Sequence, residues 1–263
     1  INSPRTLKTI KKDCDLVCLA IPSLSNKRKE EIVSEIQNEN INILEVPSIS
    51  DIISGKSSIN ELKKINIEDL LKRELVAPDL SLLKISVKNK VICITGGAGS
   101  IGSELFFQSI KFSPNKILLI DNSEINVYKI QQRISKKYLD NNKVKVILGD
   151  ISQPLFLDNL FKKEKVDIIF HAAAYKHVPL VEENPLSGIR NNVISSKLVC
   201  ECASKNRIKN VVLISTDKAV RPTNIMGASK RLSELIFQTY AFKEKSKAKI
   251  KNKVCYSIVR FGN

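Results

Sequence analysis

Four of the nine glycines in this 263-residue chain lie between positions 96 and 102, directly after an apolar run. Gly96, Gly99 and Gly102 are spaced three residues apart, and a helical pattern starts at once. Glycines at this spacing permit a sharp turn and the close approach of a charged group, and the free N–H groups of a helix N-terminus attract phosphate. The segment, with Ser100 and Ile101 in the same turn, therefore predicts a site for the pyrophosphate of a dinucleotide.

An acidic residue follows at the distance that such a site requires. Asp121 ends the next apolar run, 19 residues after Gly102, where a carboxylate reaches the ribose hydroxyls of an adenosine. This carboxylate would repel a 2′-phosphate, and Asn122 and Ser123 offer no arginine to receive one, so the pattern favours NAD over NADP. A role as N-cap of the following helix is compatible with the same geometry.

Two further segments at predicted strand ends fit the same cofactor. Asp150, followed by Ile151, is the candidate for contacting the adenine amine. Ala172, Ala173 and Ala174 end the next strand with side chains small enough for a flat ring to lie against the backbone. Because parallel strands end at one edge of the sheet, and such folds bind ligands there, we expect these residues to lie together.

A second group of reactive side chains follows the fifth predicted strand. The strand ends at residues 215–218, Ser-Thr-Asp-Lys, and Met226 and Lys230 follow on a helix. At this point the sequence resembles the extended short-chain dehydrogenase/reductases, specifically the CapD-like UDP-N-acetylglucosamine 4,6-dehydratases of bacterial polysaccharide and glycan biosynthesis. The matching stretches keep the family's order: 95–102, 171–179, 183–185, 215–220, 222–230 and 259–263.

The resemblance implies a dehydration with no net redox change. A hydride leaves C4 of the sugar for NAD, the C5 proton and the C6 hydroxyl are lost, and the hydride returns to C6. Thr216 falls at the position whose hydroxyl bonds the C4 oxygen. Lys230 falls at the position of the lysine that holds the nicotinamide ribose and lowers nearby pKa values.

One position departs from the wider superfamily. Met226 stands where that superfamily has the tyrosine that acts as acid and base, and a thioether transfers no proton. The proton transfers then fall to Asp217, as acid for the departing hydroxyl, and Lys218, as base at C5 or as an electrostatic aid, with the assignment between the two left open. The methionine resembles the long dehydratases, which implies retention of configuration at C5.

The substrate is expected to contact three further residues. Lys176 and His177 follow the alanine run, and two cationic or donor groups at a strand end suit the sugar or its diphosphate; a solvated surface loop is the alternative. Asn263, at the end of the last matching stretch, is assigned to the substrate with them.

Each catalytic candidate also has a purely structural explanation. Thr216 and Asp217 would serve equally as the cap of a turn. Met226 would be an ordinary core residue, and Lys230 a solvated lysine on a helix surface. The joint match of the stretches, rather than any one residue, favours a functional site.

The elements that must position these residues alternate regularly from residue 88 onward. Apolar runs predict strands at 90–95, 116–121, 143–149, 166–172, 210–215 and 254–260, and amphipathic segments predict helices at about 100–112, 124–138, 153–163, 185–206 and 225–243. Such alternation indicates βαβ units and a parallel sheet. The fold class is α/β, a Rossmann-type doubly wound parallel sheet.

The first third of the chain predicts a smaller, partial α/β domain. Strands are predicted at 15–22 and 42–47, with a helix at 27–38 between them and another near 67–72. We therefore expect a partial Rossmann-like domain and linker over residues 1–84 and the NAD-binding domain over residues 85–263. Members of the family continue into a substrate domain that this chain does not supply, so the chain is expected to be a fragment.

The composition of the chain argues against several other kinds of function. The net charge of +16 is dispersed over short lysine clusters, which argues against a nucleic-acid partner. Two histidines leave no histidine-rich metal site. The six cysteines show no C-x-x-C pair and are typical of buried thiols in a reducing compartment. With no signal peptide and no membrane-spanning run, the chain is expected in the cytoplasm, at the inner-membrane face if absent segments anchor it.

Two other functions remain open beside the dehydratase. The same scaffold supports a nucleotide-sugar epimerase, and the missing tyrosine and substrate domain would fit a non-catalytic NAD-binding module. For the dehydratase the expected partners are a UDP-sugar and further copies of the same chain.

Overall fold

The computed structural model describes residues 16–20, 28, 31–33, 36, 42–46, 63–64, 78–135, 138–139, 142–246 and 253–262. The chain divides into two compact units, Ile1–Ala77 and Pro78–Asn263. The sequence pattern predicts this boundary at residue 84, whereas the helix Leu80–Val87 falls within the second unit.

The first unit contains a small sheet. Strand β1, Leu16–Leu19, pairs in parallel with β2, Asn42–Glu45, and β2 pairs antiparallel with the two-residue β3, Lys63–Lys64. Residues 28, 31–33 and 36 are helical, and Ile32, Val33 and Ile36 pack with Leu19 and Ile43. The two predicted strands are thus present, β3 was not predicted, and the helix predicted near residues 67–72 lies outside the described residues.

The second unit is built on a parallel sheet of six strands. They are β4 (Val91–Thr95), β5 (Lys116–Asp121), β6 (Val144–Leu148), β7 (Ile168–His171), β8 (Asn210–Thr216) and β9 (Cys255–Phe261). Their order across the sheet is β6-β5-β4-β7-β8-β9, and every neighbouring pair is parallel. This is the strand order of the Rossmann fold, which reverses direction between β4 and β7. The predicted fold class is confirmed.

Helices connect these strands. They are α1 (Leu80–Val87), α2 (Ser100–Ser109), α3 (Glu124–Arg133), α4 (Pro154–Glu164), α5 (Val178–Glu183), α6 (Pro185–Ile189), α7 (Ser195–Lys205) and α8 (Ile225–Ser246). A π-turn, Arg190–Ile194, joins α6 to α7, and single 3-10 turns follow α2 and β8. Among the described residues no helix is both long and apolar enough to cross a bilayer.

The continuous apolar runs of the central strands fill the core. Ile92, Cys93 and Ile94 of β4 and residues 117–120 of β5 are buried on both faces of the sheet, as strands covered by helices on each side must be. Cys93, Cys200 and Cys202 are buried free thiols, as predicted, whereas Cys18 and Cys255 are exposed, so that expectation is wrong for these two.

Helix α5 and the break at Asn184 are the main differences from the predicted helices. Pro179 and Pro185 occupy the first turns of α5 and α6, where a missing N–H costs no intrahelical bond. The segment after His177, for which no helix was predicted, is therefore a short helix, whereas Lys176 and His177 themselves lie in an exposed loop. The long helix predicted over residues 185–206 is interrupted by the π-turn, a feature that a period of 3.6 residues does not reveal.

Candidate functional site

The glycine loop between β4 and α2 is shaped by contacts that only glycine allows. Gly96 has φ = +66°, and a Cβ there would lie 2.7 Å from the backbone N and Cα of Ala173. A Cβ on Gly102 would collide with the carbonyl oxygen of Gly96. At Gly99, by contrast, a Cβ would meet, among the described residues, the carbonyl oxygen of Gly96 at 3.3 Å. Two glycines therefore close the turn and pack helix on strand, and Gly99 keeps the space over the helix N-terminus open.

The loop is tied to the end of β5. The backbone N–H of Gly97 donates to the carbonyl oxygen of Ile120 at 3.0 Å. The Asp121 carboxylate accepts one hydrogen bond from the N–H of Ala98, at 3.2 Å, and one from the N–H of Ser123, at 3.0 Å. A carboxylate has about four acceptor positions, so Asp121 retains capacity for a ligand hydroxyl while it fixes the loop.

Two clefts flank the glycine loop at the carboxyl edge of the sheet. The larger, of about 540 Å³, is lined by Gly96, Gly99, Ser100, Ile101, Gly102, Ala172, Ala174, Tyr175, Lys176, His177, Leu180, Val181, Asn184 and Ser187. The smaller, of about 230 Å³, is lined by Gly96, Gly99, Ile120, Asp121, Asn122, Ser123, Asn126, Gly149, Ile151, Ala172, Ala173, Ala174, Tyr175 and Asn191. The shared glycines and alanines make them two ends of one groove across the point where the strand order reverses.

The groove brings together most of the residues assigned to a cofactor from the sequence. The three glycines, Asp121, Ile151 and the three alanines all line it. Asp150 does not line either cleft: both of its carboxylate oxygens accept hydrogen bonds from Ser152, at 2.8 Å each. These bonds form a local turn and leave acceptor positions free on the carboxylate, so the assignment of Asp150 to the adenine amine stays a prediction.

Two of the three expected substrate residues, Lys176 and His177, line the larger cleft. Lys176 lies over the start of α2, with its Nζ 3.5 Å from the hydroxyl of Ser100. His177 is the N-cap residue of α5 and is exposed. An ammonium group beside a helix N-terminus adds positive charge to an already positive end, which favours an anion between them. Asn263 lies outside the described residues.

The residues at the end of β8 form a compact polar turn. Thr216 donates from its hydroxyl to an oxygen of Asp217 at 2.8 Å, and the N–H of Lys218 donates to the same oxygen at 2.8 Å. The Lys218 ammonium lies 3.7 Å from that oxygen. The hydrogen bond from Thr216, with those from Lys218, lowers the pKa of the exposed Asp217 below its usual range. Asp217 is therefore a carboxylate at neutral pH.

This polar turn lies at the same edge of the sheet as the glycine loop. His171 of β7 pairs with Leu213 of β8 in parallel register. Ala174 and Thr216 therefore each lie three residues after this pair, towards the carboxyl end of the sheet. Thr216 in turn pairs with Phe261 of β9. Neither cleft is lined by Thr216, Asp217 or Lys218, so the turn adjoins the groove on its β8 side without forming its wall.

Met226 and Lys230 lie in the first turns of α8, behind the end of β8. Met226 is buried, at 3% exposure, in the position of a core residue. Lys230 is also buried, and its ammonium donates to the carbonyl oxygen of Ile214 at 2.7 Å. Burial lowers the pKa of Lys230 to about 8, although the nearby Glu234 opposes this. The explanation of Lys230 as a solvated surface lysine is thereby wrong.

Sequence analysis missed a buried polar chain beneath the groove. His171 is fully buried, its Nδ1 lies 2.7 Å from the hydroxyl of Thr95, and its Nε2 lies 3.0 Å from that of Ser196. Desolvation, helped by the charge of Lys230, lowers the pKa of His171 to about 3, so it is neutral. A histidine at the end of an apolar strand was the available signal, because burial forces such a ring to find partners.

Asn192 holds the backbone of Tyr175, directly after the alanine segment of the groove, through hydrogen bonds. In the π-turn, its side chain accepts from the N–H of Tyr175 at 2.7 Å, donates to the carbonyl of Tyr175 at 3.1 Å, and donates to Ser229 at 2.9 Å. Nothing in the sequence distinguishes it from the adjacent Asn191. Among the described residues no cluster of three or more His, Cys, Asp or Glu side chains could hold a metal ion.

The strand order, the glycine loop and the groove at the reversal point define a Rossmann-type protein of the short-chain dehydrogenase/reductase kind. The chain belongs to the polysaccharide biosynthesis protein family, whose sequence profile matches residues 92–263. This membership confirms the resemblance drawn from the motifs.

Relatives with curated descriptions match along most of the chain. It is 40% identical over 247 residues to the capsular polysaccharide biosynthesis protein CapD of Staphylococcus aureus, covering 94% of this chain and 40% of that protein. It is 33% identical over 178 residues to a UDP-glucose 4-epimerase of Rickettsia bellii, covering 66% of this chain and 49% of the epimerase. The chain thus spans less than half the length of these relatives.

A solved structure shares the fold of this chain over about two thirds of its length. Pen from Bacillus thuringiensis superimposes with a TM-score of 0.59 at 30% identity, covering 67% of this chain and 53% of Pen. The relatives thus include a polysaccharide biosynthesis protein and a UDP-glucose 4-epimerase.

Proposed function

We propose that this chain carries the NAD-binding and catalytic region of a nucleotide-sugar 4,6-dehydratase that acts on UDP-N-acetylglucosamine in polysaccharide biosynthesis. One observation carries the proposal most directly: the glycine loop, the alanine segment after β7 and the Thr216–Lys218 turn share one edge of the sheet, on adjacent strands. A cofactor lying along the groove would reach from Asp121 towards Thr216.

The shape and the lining residues of the groove fit a dinucleotide. Gly99 leaves open space at the N-terminus of α2, where free N–H groups suit a pyrophosphate. Asp121 lines the smaller cleft and would accept from the ribose hydroxyls, which supports NAD rather than NADP. Ala173 and Ala174 leave a flat surface. NAD, when bound, would take up a hydride from the sugar and return it.

The chain's own side chains would supply the remaining chemistry. Thr216 would hold the C4 oxygen of the sugar, and Lys230 would bind the cofactor ribose from behind β8. Asp217 and Lys218 would exchange protons at C5 and C6. Since hydrogen bonds keep Asp217 ionised, any proton that it gives to the C6 oxygen must be taken up earlier in the same turnover. Met226 takes no part in proton transfer, and the resemblance of this position to the long dehydratases supports retention at C5.

The substrate's diphosphate would lie at the rim of the larger cleft formed by Lys176 and His177, while the glycine wall of that cleft would take the pyrophosphate of the cofactor. Lys176 and His177 at its rim provide cationic or donor groups for an anion, and the cleft volume of about 540 Å³ suits a ligand of this class. The UDP-glucose 4-epimerases among the relatives favour one alternative, an epimerase on the same groove.

The test incubates the protein, expressed from its complete gene, with UDP-N-acetylglucosamine and NAD. A dehydratase gives a product lighter by one water, with C5 configuration read by NMR. An epimerase gives a product of unchanged mass. Unchanged substrate in a protein fully occupied by NAD contradicts both activities and leaves the non-catalytic NAD-binding module.

A further inference from the structure

The carboxylate of Glu234 is fully buried where α8, β8 and β9 meet. It accepts hydrogen bonds from the Ser215 hydroxyl at 2.7 Å, from Arg260 Nε at 2.8 Å and Nη2 at 2.6 Å, and from Arg231 Nη1 at 2.9 Å. These four bonds use the acceptor capacity of a carboxylate. Although burial opposes its charge, the bonds from Arg260, Ser215 and Arg231 lower the pKa of Glu234 to about 2, so it stays ionised.

Glu234 and Lys230 hold two consecutive residues of β8. Lys230, one helical turn before Glu234, donates to the carbonyl oxygen of Ile214, and Glu234 accepts from Ser215. The next residue is Thr216, whose hydroxyl begins the polar turn. The position of Thr216 relative to the Lys230 ammonium is therefore set by two contacts from α8, one of which depends on the Glu234 carboxylate.

The same carboxylate acts on the charge of Lys230. Burial disfavours the ammonium form, and the negative charge of Glu234 raises the pKa of Lys230 against that effect. On the other side, His171 of β7 is neutral, while Arg231 of α8 and Arg260 of β9 are paired with Glu234 itself. A charged group that stabilises one protonation state of its neighbour shifts the neighbour's titration accordingly.

We propose that Glu234 is the positioning residue of this site: its buried carboxylate fixes the end of β8 against α8 and supplies the counter-charge for the Lys230 ammonium. It touches neither cofactor nor substrate and acts through Lys230 and Thr216. The ion pairs that Glu234 forms with Arg231 and Arg260 add little stability over apolar packing, so the role of the carboxylate lies in orientation and charge. The kinetic part of this inference rests on the proposed function, whereas the charge relationship does not.

The charge relationship is tested by NMR on the 263-residue chain labelled with [13Cε]lysine, with the Lys230 signal assigned by its loss in Lys230→Arg. Glu234→Gln is expected to lower the titration midpoint of Lys230 by about one pH unit. The matched control is Glu244→Gln, another buried glutamate of α8, which accepts from Ser204; it leaves the midpoint in place. An unmoved midpoint in Glu234→Gln overturns the inference.

A second variant keeps the test decisive if Glu234→Gln does not fold. Arg260→Gln removes the cation that compensates Glu234, and the side chain of Arg260 is 43% exposed, so its replacement is tolerated more readily. The inference requires the Lys230 midpoint to rise in this variant, because Glu234 then acts on Lys230 with less compensation. A midpoint that stays or falls contradicts it.

In the active enzyme, Glu234→Gln is expected to lower kcat about tenfold to a hundredfold, since small misplacement of reacting groups has effects of this size. KM for the nucleotide sugar should change by less than about threefold, and the alkaline limb of the pH profile should move to lower pH. Glu234→Asp, which keeps the carboxylate, should return the alkaline limb to its wild-type pH. If Glu234 had only a structural role, Glu234→Gln would lower the stability of the protein and leave the alkaline limb of the pH profile in place. Absence of turnover in the wild type would count against the dehydratase alone, because the NMR titration needs no activity.

Discussion

The Asp121 carboxylate accepts a hydrogen bond from the backbone N–H of Ala98, 3.2 Å away, and so joins the end of β5 to the glycine loop after β4. One residue thus stands both in the wall of the smaller cleft and in the support of the loop above it. A change at Asp121 should therefore affect the proposed cofactor twice, through the lost contact and through the loosened loop.

We expect Asp121→Asn to weaken NAD binding about tenfold, the size of one lost hydrogen bond to a charged group. Discrimination against NADP should shrink as well, because the amide no longer repels a 2′-phosphate. Calorimetric titration with both cofactors measures these effects. Asp158→Asn is the control, since Asp158 of α4 bonds Lys205 and Asn206 and does not line either cleft. Equal losses in the two variants would contradict this prediction.

Two glycine substitutions separate folding from cofactor binding. Gly102→Ala places a Cβ against the Gly96 backbone and should destabilise the fold by roughly 1–3 kcal/mol, as overpacking does. Gly99→Ala should leave the unfolding midpoint nearly unchanged and abolish measurable NAD binding, because its methyl group fills space meant for the pyrophosphate. Denaturant unfolding and NAD titration on both variants are the measurements. Retained NAD affinity in Gly99→Ala would place the pyrophosphate elsewhere.

His171 predicts a pH dependence of stability in the range 5 to 7. Its pKa is about 3 in the fold and about 6.5 in the unfolded chain, so only the unfolded chain gains a proton as the pH falls through this range. Stability is then greatest above pH 6.5 and falls by about 2 kcal/mol between pH 7 and pH 5. Urea unfolding at both values checks this.

The variant His171→Asn should remove most of that slope. The chain's other histidine, His177, is exposed, and His177→Asn should keep the slope. Carboxylates with lowered pKa values, such as Glu234, change the free energy of unfolding only at lower pH. The pH dependence between pH 5 and pH 7 therefore reports on the histidine. If His171→Asn unfolds with the wild-type pH dependence, the buried ring is not neutral in the fold.

The polar turn after β8 predicts a loss of turnover without a loss of cofactor. Asp217→Asn and Lys218→Met should each lower kcat by about 10²–10⁴-fold, the range for a lost proton-transfer group. NAD affinity should stay within about threefold, since neither side chain lines the groove. Product formation from UDP-N-acetylglucosamine and NAD titration give the two readouts.

A matched ion pair offers the control for these variants. Lys209 lies 3.1 Å from Asp167, and both residues precede strands at the amino edge of the sheet, away from the groove. Asp167→Asn and Lys209→Met should leave kcat nearly unchanged. Should turnover fall to the same degree in both pairs, the effect would be one of stability and not of chemistry.

The sequence by itself determined the sheet and the glycine-loop end of the groove. Apolar runs fixed the six strands, because a strand buried on both faces needs side chains of one kind along its length. The glycine spacing and Asp121 could be recognised because a tight turn and the proposed ribose contact each require a particular residue at a particular distance along the chain.

Only the tertiary structure decided which polar residues are buried and paired. Lys230 and Glu234 are ordinary helix residues in sequence. Both are buried and paired because β8 and β9 bring the carbonyl oxygen of Ile214 to Lys230 and the side chains of Ser215 and Arg260 to Glu234. Such pairing depends on contacts between residues distant in sequence, and on the cost of leaving a buried charge without partners, neither of which a local pattern contains.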